Sequence, residues 1–560
     1  NGSTGGGVNG GAGQGVELLA WANGNARLYS NSQDATKPAI DITGATDSLG
    51  NSGFLIYNSS TAGNVLMQAT GLGGVSIKGS APTNGAQYGI DMTGAGVLSK
   101  SGAIVIDGGN RGIRMTGAYS AYGERQVVLG YCSTVICGAE SVINSTSSAT
   151  ITFTGDNIIS PANSGNLLMN TSGGIVAEPK GAAFTSDMTW NATTTAAAKI
   201  DFLRVGKDSG TTPQTYRTTI GGNQVVDGAV EAYGGDVYIS ANLTSTSNAA
   251  SASGVSGFRF KATKNVINNA MVTLRTAGAP VTFWSDADVD LAGAAALYNG
   301  TAICTAWNNT TSVCGTTGGG NITIAGGAAD SSTPALPAGY ASGYGTTNFN
   351  GALGSISTGD GFTTGAMLGY TSTGTYGVNL FSAGGDIIVR GQSTSGSVAA
   401  SQWSAGAVIV GGSAQKAILN SGAGHIWIDA NGRQSGIGSG AAVGGMEWNA
   451  WGNGTAANTQ LISTNTTDDS IVVKGVSNQN LGGGGIWGGN NATITTAGGL
   501  QILTNRLNTV TKAVLSVAGK FLLTSPGSSF DWPTTLDSNF TWSTNPTSFT
   551  VGNSGKIGRA

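Results

Sequence analysis

The chain has 560 residues, 94 of them glycine, with charged residues at 9% and a formal net charge of −3. That length exceeds the size at which one compact core keeps growing. Glycine is more than double its usual ~7%, and charge falls far below the usual ~25%. Hydrophobic residues at 39% with so little net charge exclude a disordered chain, which combines the opposite properties. Abundant Gly, Asn, Thr and Ser beside scarce Glu, Lys and Arg exclude a helical one. The lack of Lys/Arg clusters excludes a nucleic-acid partner, and the absence of a run of 18 apolar residues excludes a membrane-inserted helix. An all-β class remains.

The chain opens on Asn1-Gly2-Ser3 and is expected to be a segment of a longer protein. Residues 1–60 form an irregular start or the first coils. From Val65-Leu66-Met67 onward, short apolar or alternating runs recur between turn residues, as strands do. Examples are Val75-Ser76-Ile77, Ile104-Val105-Ile106, Ile151-Thr152-Phe153, Val237-Tyr238-Ile239 and Val281-Thr282-Phe283. Strands this short need neighbours above and below. Residues 61–325 are therefore assigned to solenoid coils. The segment 326–350 lacks apolar periodicity and is assigned to a loop excursion. Coils resume over 351–525, through Ile387-Ile388-Val389, Ile426-Trp427-Ile428 and Ile471-Val472-Val473. An aromatic-rich end, with Phe530, Trp532, Phe540 and Trp542, covers 526–560. Trp284 and Trp427 are expected to fill the interior, and Trp448 and Trp451 to pack inside or in a groove.

A unit repeats: Gly234-Gly235-Asp236-Val237, Gly319-Gly320-Asn321-Ile322 and Gly384-Gly385-Asp386-Ile387, with a looser copy at Gly424-His425-Ile426. Glycine is expected to supply positive φ at a corner, and Asp or Asn to bond the turn backbone. The β-branched residues that follow alternate in and out. Internal repetition of such a unit marks a solenoid. Coils of about 20–25 residues would give roughly 25 coils and, at about 4.8 Å per strand, a rod on the order of 110–130 Å long.

These Gly-Gly-Asp/Asn-Ile/Val units, with the Gly/Asn/Thr/Ser bias and the poverty of charge, resemble the shafts of large bacterial secreted adhesins of the filamentous-haemagglutinin-like kind. The likeness runs from about Val65 to the end and rests on composition and a short repeat, with no secretion domain evident. It implies a right-handed parallel β-helix acting in attachment, biofilm or intercellular filaments.

Cys132 with Cys137 and Cys304 with Cys314 form two close pairs in loop-like sequence, which favours short disulfides made in an oxidising space over a metal site. Asp286, Asp288 and Asp290 stand at alternate positions. They either converge on Ca2+ or line an outward polar edge strand. No other cofactor is implied. His425 is the chain's single histidine and reads as a surface residue, which removes the base on which Ser-His-Asp chemistry depends. Sequons at Asn58, Asn144, Asn191, Asn242, Asn321, Asn465 and Asn491 are glycosylation candidates, though chance supplies many in so Asn- and Thr-rich a chain.

The expectation is a non-enzymatic, secreted or cell-surface rod that adheres to glycans or proteins of a host or cell surface. The alternative is a filament subunit that associates with itself, end to end or laterally. A less favoured one is a β-helix polysaccharide lyase or hydrolase, for which Asp236, Asp386, Asp429, Asp468 and Asp469 would be available.

Overall fold

The computed structural model describes most of the chain between residues 13 and 558. Outside the described residues lie 1–12, 59–64, 132–148, 160–166, 345–362, 370–376, 451–458, 478–483 and 526–539, with shorter gaps of at most five residues elsewhere. Among the described residues, regular structure is strand throughout apart from one 3-10 turn at Gly109–Arg111. Strands pair with the equivalent strand of the next coil, almost always in parallel, so the chain is a parallel β-solenoid. Two compact units divide it. One comprises Asn1–Ser209, Gln214–Gly234 and Ala249–Ser253; the other comprises Gly210–Pro213, Gly235–Asn248 and Gly254–Ala560.

In the first unit each early coil contributes to three sheets. Val16–Ala20 pairs with Phe54–Asn58, Ala26–Ser30 with Val65–Ala69, and Ile40–Ala45 with Val75–Ser80. The third sheet continues through Ile104–Asp107, Ile151–Thr154, Gly174–Glu178, Phe202–Val205 and Val230–Gly234.

In the second unit the sheet built on Ile387–Gln392, Ile426–Gly432, Ile471–Ser477, Leu500–Thr504 and Lys520–Ser525 shows why these sequences become strands. Burial along Ile426–Gly432 alternates strictly. Ile426, Ile428 and Ala430 point inward, while Trp427, Asp429 and Asn431 face out. The register stacks Ile387, Ile426, Ile471, Leu500 and Phe521 into one interior column, each at most 1% exposed. Burying each such side chain contributes about 1.5–3 kcal/mol. Because the side-chain period is two, a one-residue slip would turn the whole column out to solvent.

Coil length corrects the sequence estimate. Ile40 and its partner Val75 are 35 residues apart, and Ile322 and its partner Ile387 are 65 apart. The stack therefore has far fewer coils than short turns suggest, because corners carry insertions. One lies within the segment expected to be loop. Strand Ile322–Ala329 runs on and folds back antiparallel onto Pro337–Gly339, and Ala341–Ser342 then pairs in parallel with Gly391–Gln392. This strap is bonded along the outer face of the sheet. The Trp284 indole donates to Gly327 O at 2.8 Å, Arg259 to Ala335 O at 2.8 Å and Arg390 to Ala338 O at 3.1 Å.

Neither strand tryptophan fills the interior. Trp284 faces outward, in register with Lys261, and is buried under the strap. Trp427 is half-exposed on the outer face, its ring stacked on His425 at 5.0 Å. The Trp448 side chain and Trp451 lie outside the described residues. A second corner insertion is the antiparallel pair Trp307–Asn308 and Val313–Cys314, closed by the Cys304–Cys314 disulfide. Cys132 and Cys137 lie outside the described residues.

Candidate functional site

The repeated Gly-Gly-Asp/Asn unit builds a ladder between coils. Asn321 Oδ1 accepts the Asp386 backbone N–H at 2.8 Å, and Asp386 Oδ1 accepts the His425 N–H at 2.9 Å. At another corner Asp236 Oδ1 accepts the Asn265 N–H at 3.1 Å and its side-chain amide at 2.9 Å. Asn265 Oδ1 in turn accepts the Ala294 N–H at 2.9 Å. The similar sequence units thus mark two different edges of the coil. Their side chains bond the backbone of the next coil.

The glycines preceding them serve close approach as much as positive φ. Gly384 has φ +107°, but a Cβ on Gly424 would sit 2.0 Å from Gly385 O. Sequence reasoning missed the buried hydroxyl three residues upstream. Ser382 donates to Gly385 O at 2.5 Å and Ser421 to Gly424 O at 2.8 Å. A Ser/Thr-x-Gly-Gly or Ser-Gly-x-Gly pattern was the available signal.

Several expected glycosylation residues belong to these contacts. Asn242 Oδ1 accepts the Thr273 N–H at 2.7 Å, and Asn465 donates to Ala423 O at 2.9 Å. Asn321 is exposed although its oxygen is engaged, and Asn191 is half-buried. The Asn58 side chain, Asn144 and Asn491 lie outside the described residues.

His425 acquires partners that lie far away in sequence. Its Nδ1 is 3.0 Å from Asp386 Oδ1 and its Nε2 is 3.6 Å from Asp469 Oδ1. Thr467 Oγ1 and Asn465 Nδ2 each lie 3.3 Å from Nε2. A carboxylate, an imidazole and a hydroxyl therefore fall in series. Three groups crowd Nε2, however, and a relay requires that nitrogen to be committed to the nucleophile. The other carboxylates considered for catalysis are engaged. Asp429 accepts from the Tyr340 hydroxyl at 2.9 Å and lies 3.0 Å from Lys474 Nζ. Asp468 lies 2.6 Å from Lys520 Nζ.

Asp286, Asp288 and Asp290 come together. Each offers a ligand atom within 4.8 Å of the others. They do not line an edge strand. They occupy a corner loop after Val281–Ser285, in which Asp286, Val289 and Leu291 have φ of +52°, +65° and +67°. Asp286 is fully buried. Its oxygens accept from the Ser342 hydroxyl at 2.7 Å and the Leu291 N–H at 2.9 Å. Ser342, brought in by the strap, also receives Gln392 Nε2 at 2.7 Å. Burial pushes the Asp286 carboxyl up to about 6 against those hydrogen bonds, and the Asp290 charge adds to the rise. Burial also raises Asp288, followed by the Asp290 charge, while Lys264 opposes. Asp288 Oδ1 is buried with no hydrogen-bond partner. Three carboxylates supply up to six oxygens, a donor set suited to a hard divalent cation.

The fold defines a parallel β-solenoid whose corner side chains bind coil to coil. No family model, curated protein or solved structure matches the chain. Among the described residues no helix is long and apolar enough to cross a membrane.

Proposed function

We propose that this protein is an extracellular structural and adhesive rod, whose work is to present faces and loops at a distance and not to transform a substrate. One observation carries the reading: of the carboxylates considered for catalysis, Asp236, Asp386, Asp429 and Asp468 are engaged by groups from other coils. Asp236 and Asp386 are rungs of inter-coil ladders, and Asp429 and Asp468 are paired with lysines. A glycosidase or lyase needs carboxyl groups free to exchange protons or attack. The Cys304–Cys314 disulfide supports an oxidising compartment. The charge-poor outer faces offer Asn, Thr and Ser to glycans or proteins on an opposing surface. Within this reading the acidic loop takes a calcium ion that relieves the mutual repulsion of Asp286, Asp288 and Asp290.

Binding and turnover measured on the same polysaccharides and cell surfaces test the proposal. The expected result is saturable retention with no change in polymer length. Depolymerisation that disappears in an Asp386→Asn or Asp469→Asn variant would overturn it in favour of an enzyme.

A further inference from the structure

On the outer face of the first unit, the outward residues Thr43, Lys78 and Asp107 stand in register on three successive strands. They floor a cleft of about 330 Å³, which Ser80 and Asn110 wall and into which Lys180 reaches. That volume lies at the lower end of the ~300–1,000 Å³ of small-ligand sites.

The cleft is held in shape by its own neighbours. Asp107 Oδ1 accepts the Gly109 N–H at 2.9 Å, and the φ of +57° at Gly109 turns the chain into the wall. Arg111 then donates to Thr83 O at 3.1 Å and Gln87 O at 3.0 Å, tying down the loop that follows Ser80. The Lys180 N–H donates to Asp156 Oδ1 at 3.1 Å, and the Lys180 ammonium lies 2.6 Å from Asp107 Oδ2. Both oxygens of Asp107 are thus engaged within the protein. Lys78 is held more loosely, its ammonium 3.8 Å from Asp41 Oδ1. The groups left to meet a ligand are two ammonium groups, the Asn110 amide and the Thr43 and Ser80 hydroxyls. Among the described residues no aromatic ring lines the cleft.

We propose that this cleft binds an acidic sugar, a uronic acid residue of an extracellular polysaccharide. Two lysines against one lining carboxylate favour an anion, and ammonium groups make charge-assisted hydrogen bonds to a carboxylate. A neutral sugar would offer its apolar ring face, and no ring is present to receive it. A bare tetrahedral anion would leave most of the volume empty, whereas the amide and hydroxyls suit the hydroxyl groups of a pyranose. Successive strands lie about 4.8 Å apart, close to the length of one pyranose unit. The neighbouring sugars can therefore lie along the same register column, which Thr154 continues. The proposal deepens the adhesive reading and rests on it.

Isothermal titration calorimetry on the full chain in calcium-free buffer tests it with a galacturonate hexamer, its carboxyl-reduced neutral counterpart and poly-glutamate. The hexamer is expected to bind saturably, and the other two at least about tenfold more weakly. Lys78→Ala with Lys180→Ala should weaken hexamer binding at least about tenfold. Asn110→Ala, which alters no charge, should weaken it about threefold, and Lys520→Ala, which removes a cation from the second unit, should not change it. Lys78 and Lys180 are 48% and 47% exposed, so the variants are expected to keep the wild-type circular dichroism. In the wild type, bound hexamer should also shield both lysines from acetylation. Absence of hexamer binding overturns the proposal, as do equal binding of either other polymer, unchanged affinity in the double variant or in Asn110→Ala, and unchanged acetylation. Retention on cell surfaces, measured separately, tells the two readings apart. Retention without hexamer binding sinks the cleft and leaves the adhesive rod standing, whereas hexamer binding without retention keeps the cleft and sinks the adhesion.

Discussion

The corner at Asn321, Asp386 and His425 and the corner at Asp286, Asp288 and Asp290 use the same chemistry to opposite ends. In the first, each side-chain oxygen meets an N–H from the next coil, and the donors come from backbone that any sequence would supply. In the second, carboxylates meet one another within 4.8 Å, and one buried oxygen meets nothing. A satisfied polar ladder adds stability with every coil, whereas gathered like charges in a buried place cost it unless something else pays. The first arrangement reads as architecture. The second is the loop to which the calcium proposal applies.

Breaking a buried rung should do the most damage. Asn265 is 2% exposed and serves both Asp236 and Ala294. Asn265→Leu removes the acceptor of the buried Ala294 N–H and the side-chain donor to Asp236 Oδ1 and is expected to cost about 3 kcal/mol in chemical denaturation; a loss below about 1 kcal/mol would show the ladder to be incidental. The acidic corner should respond to pH instead. Asp286 has a folded value of about 6, above the usual ~3.9 of a free carboxyl. The folded state therefore holds the proton more tightly, and in calcium-free buffer stability should fall as pH rises from about 4 to about 6. Calcium should flatten that slope, and Asp288→Asn should remove the calcium effect; an identical slope with and without the ion would count against the site. The smallest change belongs to the surface. Lys520 and Asp468 are 60% and 59% exposed, so Lys520→Ala should cost no more than about 0.5 kcal/mol and be masked by salt.

Strand positions were legible because a period of two survives in runs as short as Ile426-Trp427-Ile428, and a stacked array was legible from the recurring glycine corner. The inward or outward direction of a tryptophan was not. Trp284 is buried by a strap more than forty residues away in sequence, and no local pattern announces it. The acidic loop shows both limits. Its three aspartates stood out in the sequence, but only Asp286 is buried, bonded to Ser342, 56 residues further on. The partners of His425 likewise arrive from neighbouring coils, Asp386 at a separation of 39 residues. Contacts between coils have no fixed sequence spacing here because corner insertions vary the length of each turn.

The 65-residue interval between Ile322 and Ile387 leaves the register of the sheet intact on both sides. Closing a longer loop costs only about 0.6 kcal/mol for each doubling of its length. Corners of this molecule can therefore accept foreign segments while the strands keep their places, so new surface traits can be acquired by insertion at a bend without redesigning the scaffold that carries them.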